Sequence, residues 1–349
     1  MILTQIIKVF AVTITAFFIA IIITPVILKL LRRFGIKKQI RDSSSAPIMS
    51  ALHAKKEGTP TMGGVIIWGT VLTVALIMLV AGKVLGGIYE NLNFINRAET
   101  YLPLVAMIIA AVVGLADDLL GVLRIGPKGG GLTIRYKLIL YTLVGALGAW
   151  WFYSPNHLDW HILNIPFVGA IDIGFWYIPI FIFIIVASAF SANETDGLDG
   201  LLSGVSISAF AALGVIAFVL GRYNLAAMTG AFIGAMIAFL WNNVYPTKFF
   251  MGDTGSMAIG ITMGIISLLT NTVFLLPFFA VVMVIESLSV IIQMVHKRLL
   301  KRKLFLSTPI HHHFEAKGMP ESQITMRFWI ISGVSAGIGL VLFFLDRII

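Results

Sequence analysis

Apolar stretches recur along the chain at roughly 4–31, 62–82, 101–121, 133–153, 173–191, 198–220, 223–243, 256–270, 272–296 and 326–345, separated by short polar connections. Most approach the ~20 residues that a helix needs to cross the hydrocarbon of a bilayer, and the eighth is the shortest. In lipid every backbone polar group must be paired within its own segment, so the pattern predicts an all-α, polytopic membrane protein with about ten transmembrane helices. The runs are continuous rather than alternating, which argues against a β-barrel. No connection is long enough to form a soluble domain, and no internal repeat stands out. Residues 1–349 therefore read as a single integral-membrane domain. The first run is too long for a signal-peptide core and lacks a small-residue cleavage pattern, so it reads as a retained first span.

Composition agrees with the pattern: 58% of the 349 residues are hydrophobic and only 12% are charged. Cysteine is absent, which excludes disulfides, thiolate catalysis and zinc–thiolate sites. Charge adds orientation, because Lys and Arg in short loops stay on the cytoplasmic side. With the N terminus outside, Lys29, Arg32, Arg33, Lys37, Lys38, Arg41, Lys55, Lys56, Arg124, Lys128, Arg135, Lys137, Lys248, the run Lys297 to Lys303, Lys317 and Arg327 all fall inside. Only Lys8, Lys83, Arg97, Arg222 and Arg347 of the 25 basic residues fall outside. The +9 net charge is thus a sided charge, one that would also attract anionic lipid headgroups or phosphorylated substrates.

The same topology sorts the acids. Asp117 and Asp118 end the third segment, Asp196 and Asp199 open the sixth, and Asp253 lies between the seventh and eighth. All five fall on the cytoplasmic face with the basic residues. Adjacent residues on a helix point about 100° apart, so Asp117 and Asp118 cannot face one ligand as a parallel pair. One could bind a metal while its neighbour serves as base or holds a supporting partner; alternatively both simply reach into the headgroup region. In "NETDGLDGL", Asp196 and Asp199 share a face if the sixth helix has begun, with Thr195 or Asp196 as N-cap and backbone N–H groups offered to a phosphate. In "NNVYPTKFFMGDTGS" the Gly-Asp-Thr-Gly run could be a tight turn, and Phe249 and Phe250 either interface anchors or a stacking surface for a base. The three histidines of "PIHHHFE" suit phosphate contact better than metal chelation, since adjacent residues rarely bind one ion well. Glu286 lies within the ninth segment. A membrane-embedded acid is a functional candidate, though it could instead bond Ser287, Ser289 or a neighbouring helix.

Carboxylates without cysteine suit Mg²⁺ or Mn²⁺, and lysine, histidine and helix N-termini would clamp a diphosphate. The residues suggest metal-assisted phosphoryl transfer at the inner membrane surface. No Walker loop is present, and "GPKGGG" does not match one, which disfavours a P-loop ATPase.

The ordered motifs "GTPTMGG", "ADDLLG", "TDGLDGL", "FMGDTGS" and "PIHHHFE" span nearly the whole chain. Together they resemble those of the phospho-N-acetylmuramoyl-pentapeptide transferases, the MraY type of polyprenyl-phosphate N-acetylhexosamine-1-phosphate transferase. The resemblance implies ten transmembrane helices with both termini outside, an active site at the cytoplasmic face of the bacterial inner membrane, and usually a homodimer. It implies an Mg²⁺-dependent reaction in which UDP-N-acetylmuramoyl-pentapeptide and undecaprenyl phosphate give lipid I and UMP, with no nucleic acid partner. Carried over by position, Asp117, Asp118 and Asp253 look like the essential aspartates. Asp253 is similar to the Mg²⁺ ligand, and Asp117 to the base for the lipid phosphate and a possible second ligand. Asp118 would then order Lys137 or the metal shell. Asn193, Asp196 and Asp199 match polar site residues, and Gly197, Leu198, Asp199, Asn243 and Phe250 align with the uridine pocket. Lys56, Lys137, His311, His312 and His313 correspond to positions near the phosphates and substrate, with His311 among the catalytic ones. The chain departs from the family at Phe190 and Glu194, where an Asn and a Leu are usual, and through the segment 41–58.

Two alternatives stay beside this reading. A related transferase would move N-acetylglucosamine-1-phosphate onto the same lipid, against which the "HHHFE" motif speaks. A secondary transporter would place its ionisable sites near mid-membrane, where only Glu286 lies. The chemistry could be a direct attack by the lipid phosphate or a two-step route through an aspartyl intermediate.

Overall fold

The computed structural model describes residues 2–37, 56, 58–95, 97–127 and 130–348. Lys38, Arg41, Lys55 and Lys128 of the orientation argument, and most of the segment 41–58, lie outside the described residues. Thirteen α-helices are present among the described residues: α1 Ile2–Arg33, α2 Val65–Leu85, α3 Ile88–Leu92, α4 Ala98–Val122, α5 Ile134–Tyr153, α6 Tyr177–Thr195, α7 Leu201–Val219, α8 Tyr223–Asn243, α9 Asp253–Leu269, α10 Leu276–Phe279, α11 Val281–Leu300, α12 Ile310–Ala316 and α13 Glu321–Leu345.

Each of the ten apolar segments coincides with a helix, the ninth being broken into α10 and α11 at Ala280. Seven of them, α1, α2, α4, α6 with the 3-10 turn before it, α7, α8 and α13, are long and apolar enough to cross a membrane. The other three differ for visible reasons. Helix α9 has 17 residues, α5 carries Arg135 and Lys137, and α11 carries Glu286, Lys297 and Arg298. The protein is thus a polytopic helical membrane protein. Its one sheet among the described residues is a hairpin of β1 Ile162–Ile165 and β2 Gly169–Asp172 with Leu163 opposite Ile171.

Helix α9 is the axis of the bundle, and every residue from Thr254 to Leu269 is buried. It packs chiefly against α4 and α6; α8 packs against α1 and α7, α5 against α6, and α13 against α7. Lipid supplies no hydrophobic drive between helices, so their association rests on close van der Waals fit between small residues. At Gly260 of α9 an added methyl would stand 2.6 Å from the Ser188 carbonyl oxygen and 2.9 Å from Ala189 Cα of α6. At Gly114 of α4 it would overlap the Asp253 backbone where α9 begins. The end of α4 is therefore pressed onto the start of α9, which fixes what Asp117 and Asp118 can reach.

The start of the sixth span is a correction. Helix α6 runs through Thr195, Asp196 is its C-cap, and α7 begins only at Leu201 after Gly200 with φ +74°. Asp196 and Asp199 therefore lie in a turn, not on one helical face, and neither Thr195 nor Asp196 is an N-cap. The left-handed backbone that Gly200 supplies is what allows the chain to leave one helix and enter the next within five residues.

Candidate active site

The ends of α4 and α6 meet the starts of α5 and α9 around one ammonium group. Lys137 Nζ of α5 stands 2.8 Å from Asp117 Oδ2 and is ion-paired with Asp253 Oδ2. Asp117 is buried, and its other oxygen accepts the Leu132 backbone N–H at 2.5 Å. Asp253 Oδ1 accepts Asn193 Nδ2–H at 2.6 Å, and the same amide reaches Ser256 Oγ at 3.1 Å. Four elements thus converge on a Lys–Asp–Asp–Asn cluster.

Asp118 has a different task. Its Oδ1 accepts the Asp253 N–H and its Oδ2 the Thr254 N–H, both at 3.0 Å. Helix α9 opens on Gly252, which has no side chain, so Asp118 caps it from across the bundle. A carboxylate there also meets the positive end of the helix dipole. Asp118 is expected to order Lys137 or the metal shell; the contacts here set Asp117 against the lysine and both Asp118 oxygens on the helix start. The Gly-Asp-Thr-Gly run is accordingly a helix start rather than a tight turn.

A second cluster holds the neighbouring loops. Lys56 Nζ lies 2.7 Å from Asp199 Oδ1 and 2.5 Å from Glu321 Oε1, over the rings of Tyr245 and Phe250 at 5.8 and 5.9 Å from their centroids. Buried Asp199 also accepts the Thr247 N–H at 3.1 Å, and its own N–H donates to Glu321 Oε1 at 2.7 Å. Asn243 is buried and fully engaged: its Oδ1 accepts the Gly200 N–H, and its Nδ2–H donates to the Phe249 carbonyl and Thr247 Oγ1. The Gly-Thr-Pro-Thr-Met-Gly-Gly segment is laced to this loop, with Phe250 N–H donating to Pro60 O and Gly63 N–H to Phe250 O, each at 2.8 Å. Phe249 is wholly buried against Phe239, so it is a core residue rather than an interface anchor. Phe250 stays half-exposed, with the Lys56 ammonium over its ring. Leu198 is buried in the same turn.

The histidines are divided in the same way. His311 Nδ1 is 2.9 Å from Glu286 Oε2, and the His311 ring lies against Gly197, where an added methyl would collide with Nε2. His312 Nδ1 pairs with Glu315 at 2.6 Å, while His313 Nδ1 accepts the Leu306 N–H at 3.2 Å. Burial works against a protonated His311, yet the carboxylates of Glu286, Glu315 and Glu194 together outweigh it, Glu286 foremost among them, and hold the imidazole above the ordinary histidine range. Burial and the Lys317 charge lower His313 instead. Glu286 bonds His311 of the neighbouring helix α12, the alternative expected beside Ser287 and Ser289.

Among the described residues no three His, Asp or Glu side chains converge as an enclosed metal cage. Asp117 and Asp253 nevertheless already share one cation, Lys137, so two hard oxygen donors face a common positive charge. Such a pair suits a cation that takes one or two carboxylates and completes its shell with water and phosphate oxygens.

Three residues that sequence reading passed over belong to this region. Ser256 supports Asn193, and Glu321 completes the Lys56 pair. Gln293 accepts the Leu304 and Phe305 N–H groups and donates to the Phe305 carbonyl, anchoring the basic connection before α12. A buried Gln within an amphipathic span was the available signal for the last.

The chain matches Glycosyl transferase family 4 over residues 100–271 and the phospho-N-acetylmuramoyl-pentapeptide-transferase signature 1 over residues 56–67. It is 36% identical over 338 residues to the phospho-N-acetylmuramoyl-pentapeptide-transferase of Chloroflexus aurantiacus, covering 94% of this chain and 87% of that one. It is 34% identical over 346 residues to the protein of that name in Thermodesulfovibrio yellowstonii, at 94% and 90% coverage. The corresponding protein of Anoxybacillus flavithermus is 33% identical over 326 residues, at 93% and 94% coverage.

Proposed function

The chain belongs to the phospho-N-acetylmuramoyl-pentapeptide transferases, and from that premise we propose how its own residues carry out the reaction. The protein joins the phospho-N-acetylmuramoyl-pentapeptide of its UDP-linked donor to undecaprenyl phosphate, giving lipid I and UMP for peptidoglycan synthesis. The observation that carries the site assignment is the Lys137 ammonium shared by Asp117 and Asp253 beside the capped start of α9.

A lipid phosphate oxygen attacks the β-phosphorus of the donor. The bond from that phosphorus to the bridging oxygen breaks, and UMP leaves with the oxygen. Asp253, with Asp117 beside it, would hold Mg²⁺, which when bound supplies charge neutralisation and polarisation of the diphosphate. Lys137 meets negative charge as it develops. Asp117 takes the remaining proton of the lipid phosphate. Both Asp253 oxygens already accept hydrogen bonds, from Asn193 and Lys137, which blunts the carboxylate as a nucleophile and favours the direct route. Phe250 offers a stacking face to uracil, and Gly197, Leu198, Asp199 and Asn243 shape that pocket around the Lys56 pair. Asp196, His312 and His313 line the approach of the sugar-phosphate.

In detergent with Mg²⁺ and undecaprenyl phosphate, the purified protein releases UMP from UDP-N-acetylmuramoyl-pentapeptide and not from UDP-N-acetylglucosamine, and EDTA stops the release. Turnover of the N-acetylglucosamine donor alone would instead assign the related transferase activity.

The whole chain acts as one domain of the bacterial cytoplasmic membrane, usually as a homodimer among bilayer lipids. Helices α5, α9 and α11 add three crossings to the seven, so that ten spans leave both termini outside and every clustered aspartate inside. The absence of cysteine makes this directly measurable. Lys83→Cys reacts with an impermeant maleimide in intact cells, whereas Lys317→Cys reacts only after permeabilisation; the reverse pattern would invert the topology.

A further inference from the structure

Glu286 and His311 form a pair whose side chains are both 0% exposed. Glu286 belongs to α11 and His311 opens α12, so 25 positions of sequence separate two groups in contact. The carboxylate engages His311 twice, through Nδ1 at 2.9 Å and through the backbone N–H at 3.4 Å. A buried charge next to imidazole is costly unless the two share a proton, and the short Nδ1 contact is where that proton sits.

Two polar atoms of the pair have no hydrogen-bond partner among the described residues: Glu286 Oε1 and His311 Nε2. Buried polar atoms are normally satisfied, and the exceptions concentrate at functional sites. Nε2 faces Gly197, the glycine next to the C-cap of α6, whose helix also supplies Asn193 to Asp253. A methyl added at Gly197 would stand 2.1 Å from Nε2, so the ring edge packs directly on the glycine and only a residue without a side chain admits it. Nε2 therefore abuts the turn of Gly197, next to which the donor's sugar-phosphate enters on the reading above.

We infer that Glu286 is a positioning residue for the transfer: by holding the proton on His311 Nδ1 it fixes the ring so that Nε2 is presented across Gly197 to an oxygen of the donor. The arrangement is the carboxylate–imidazole logic that orients histidine in other active sites, in which the acid never touches substrate and acts only through the ring. The inference rests on the proposed transferase reading and adds a residue to it.

The groups facing His311 are Glu286 from α11, Glu315 and His312 from α12, and Glu194 from α6. All three acids favour the imidazolium, and Glu286 dominates. Because the folded value is raised, the protonated form, with Nε2–H as donor, persists below that value and is lost as pH climbs through it. Removing the Glu286 charge lowers the folded value. The alkaline limb of the activity profile then moves towards lower pH.

Glu286→Gln keeps an oxygen for Nδ1–H but not the charge. It is expected to lower kcat about tenfold to a hundredfold, with KM for the UDP-linked donor changed less than about threefold, as loss of a supporting partner commonly does. Its alkaline limb moves down by about one pH unit or more. Glu286→Asp recovers part of both effects. In a His311→Gln background the Glu286→Gln change adds nothing further, since the acid then has no ring to act through. Ser289→Ala, which removes only a hydrogen bond to the Glu286 carbonyl, keeps the wild-type profile. A Glu286→Gln protein with the wild-type pH profile, or an additive loss in the double variant, overturns the inference. Should Glu286→Gln fail to fold, Glu286→Asp decides alone: the shorter acid holds Nδ1–H less well and lowers kcat with KM nearly unchanged, and a wild-type kcat together with an unshifted limb overturns the inference. Absence of UMP release by the wild-type protein would instead remove the transferase reading itself, so the two failures are distinguishable.

Discussion

Asp253→Ala and Asp117→Ala each lower kcat for UMP release by at least about 10³-fold, the loss expected when a group that meets the transition state is deleted. Both acids touch Lys137, and each deletion leaves the ammonium with a single carboxylate in a half-buried site. The charge balance at the diphosphate then changes for every ligand that binds there. Asp253→Ala should nevertheless fold. The start of α9 is capped through the backbone N–H groups of Asp253 and Thr254, which the substitution keeps. An Asp253→Ala protein that melts like wild type in detergent yet releases no UMP meets both expectations. Release above about a tenth of the wild-type rate in both variants, against the losses typical of such deletions, would remove these residues from the chemistry.

Asp118→Ala is expected to fail in another way. Deleting this side chain leaves two N–H groups at the head of a buried helix without their acceptor, at a cost of about 1–3 kcal/mol each where water cannot replace it. The thermal midpoint in detergent therefore drops for Asp118→Ala but not for Asp253→Ala. Activity falls too, by about a hundredfold or more, because Asp253 is the first residue of the helix that loses its cap. Asp118→Asn retains one acceptor oxygen and lies between the two in both stability and rate. If Asp118→Ala matched wild type in melting and was merely slow, the capping role would be wrong and a direct part in the chemistry would be indicated.

The difference between these neighbours was half legible beforehand. Helical geometry says that Asp117 and Asp118 diverge by about 100°, but not which of them meets the lysine. That choice belongs to Gly114, which lets α4 press against the backbone of Asp253 and so seats Asp118 over the head of α9. Asp199 teaches the same lesson. Its expected position on the cytoplasmic face grouped it with the other acids, yet Lys56 and Glu321 draw it into a separate pair. Its spacing from Asp196 implied a shared helical face that the turn ending at Gly200 abolishes, because two glycines permit a break where the apolar pattern alone continues into the sixth span.

What the sequence by itself determined is the set of apolar segments, and with them the expectation that the acids and bases gather on one side. Both follow from local physics: a bilayer sets the length of a span, and the cost of moving Lys and Arg across it sets their side. What only the tertiary structure decided is the pairing: Lys137 between Asp117 and Asp253, Asp118 on the first amides of α9, and His311 on Glu286 of α11. Those contacts join residues separated by 20 to more than 130 positions, and nothing in the pattern around any one of them identifies its partner. They exist because small residues let the helix ends approach and because a buried charge must find an opposite one within reach.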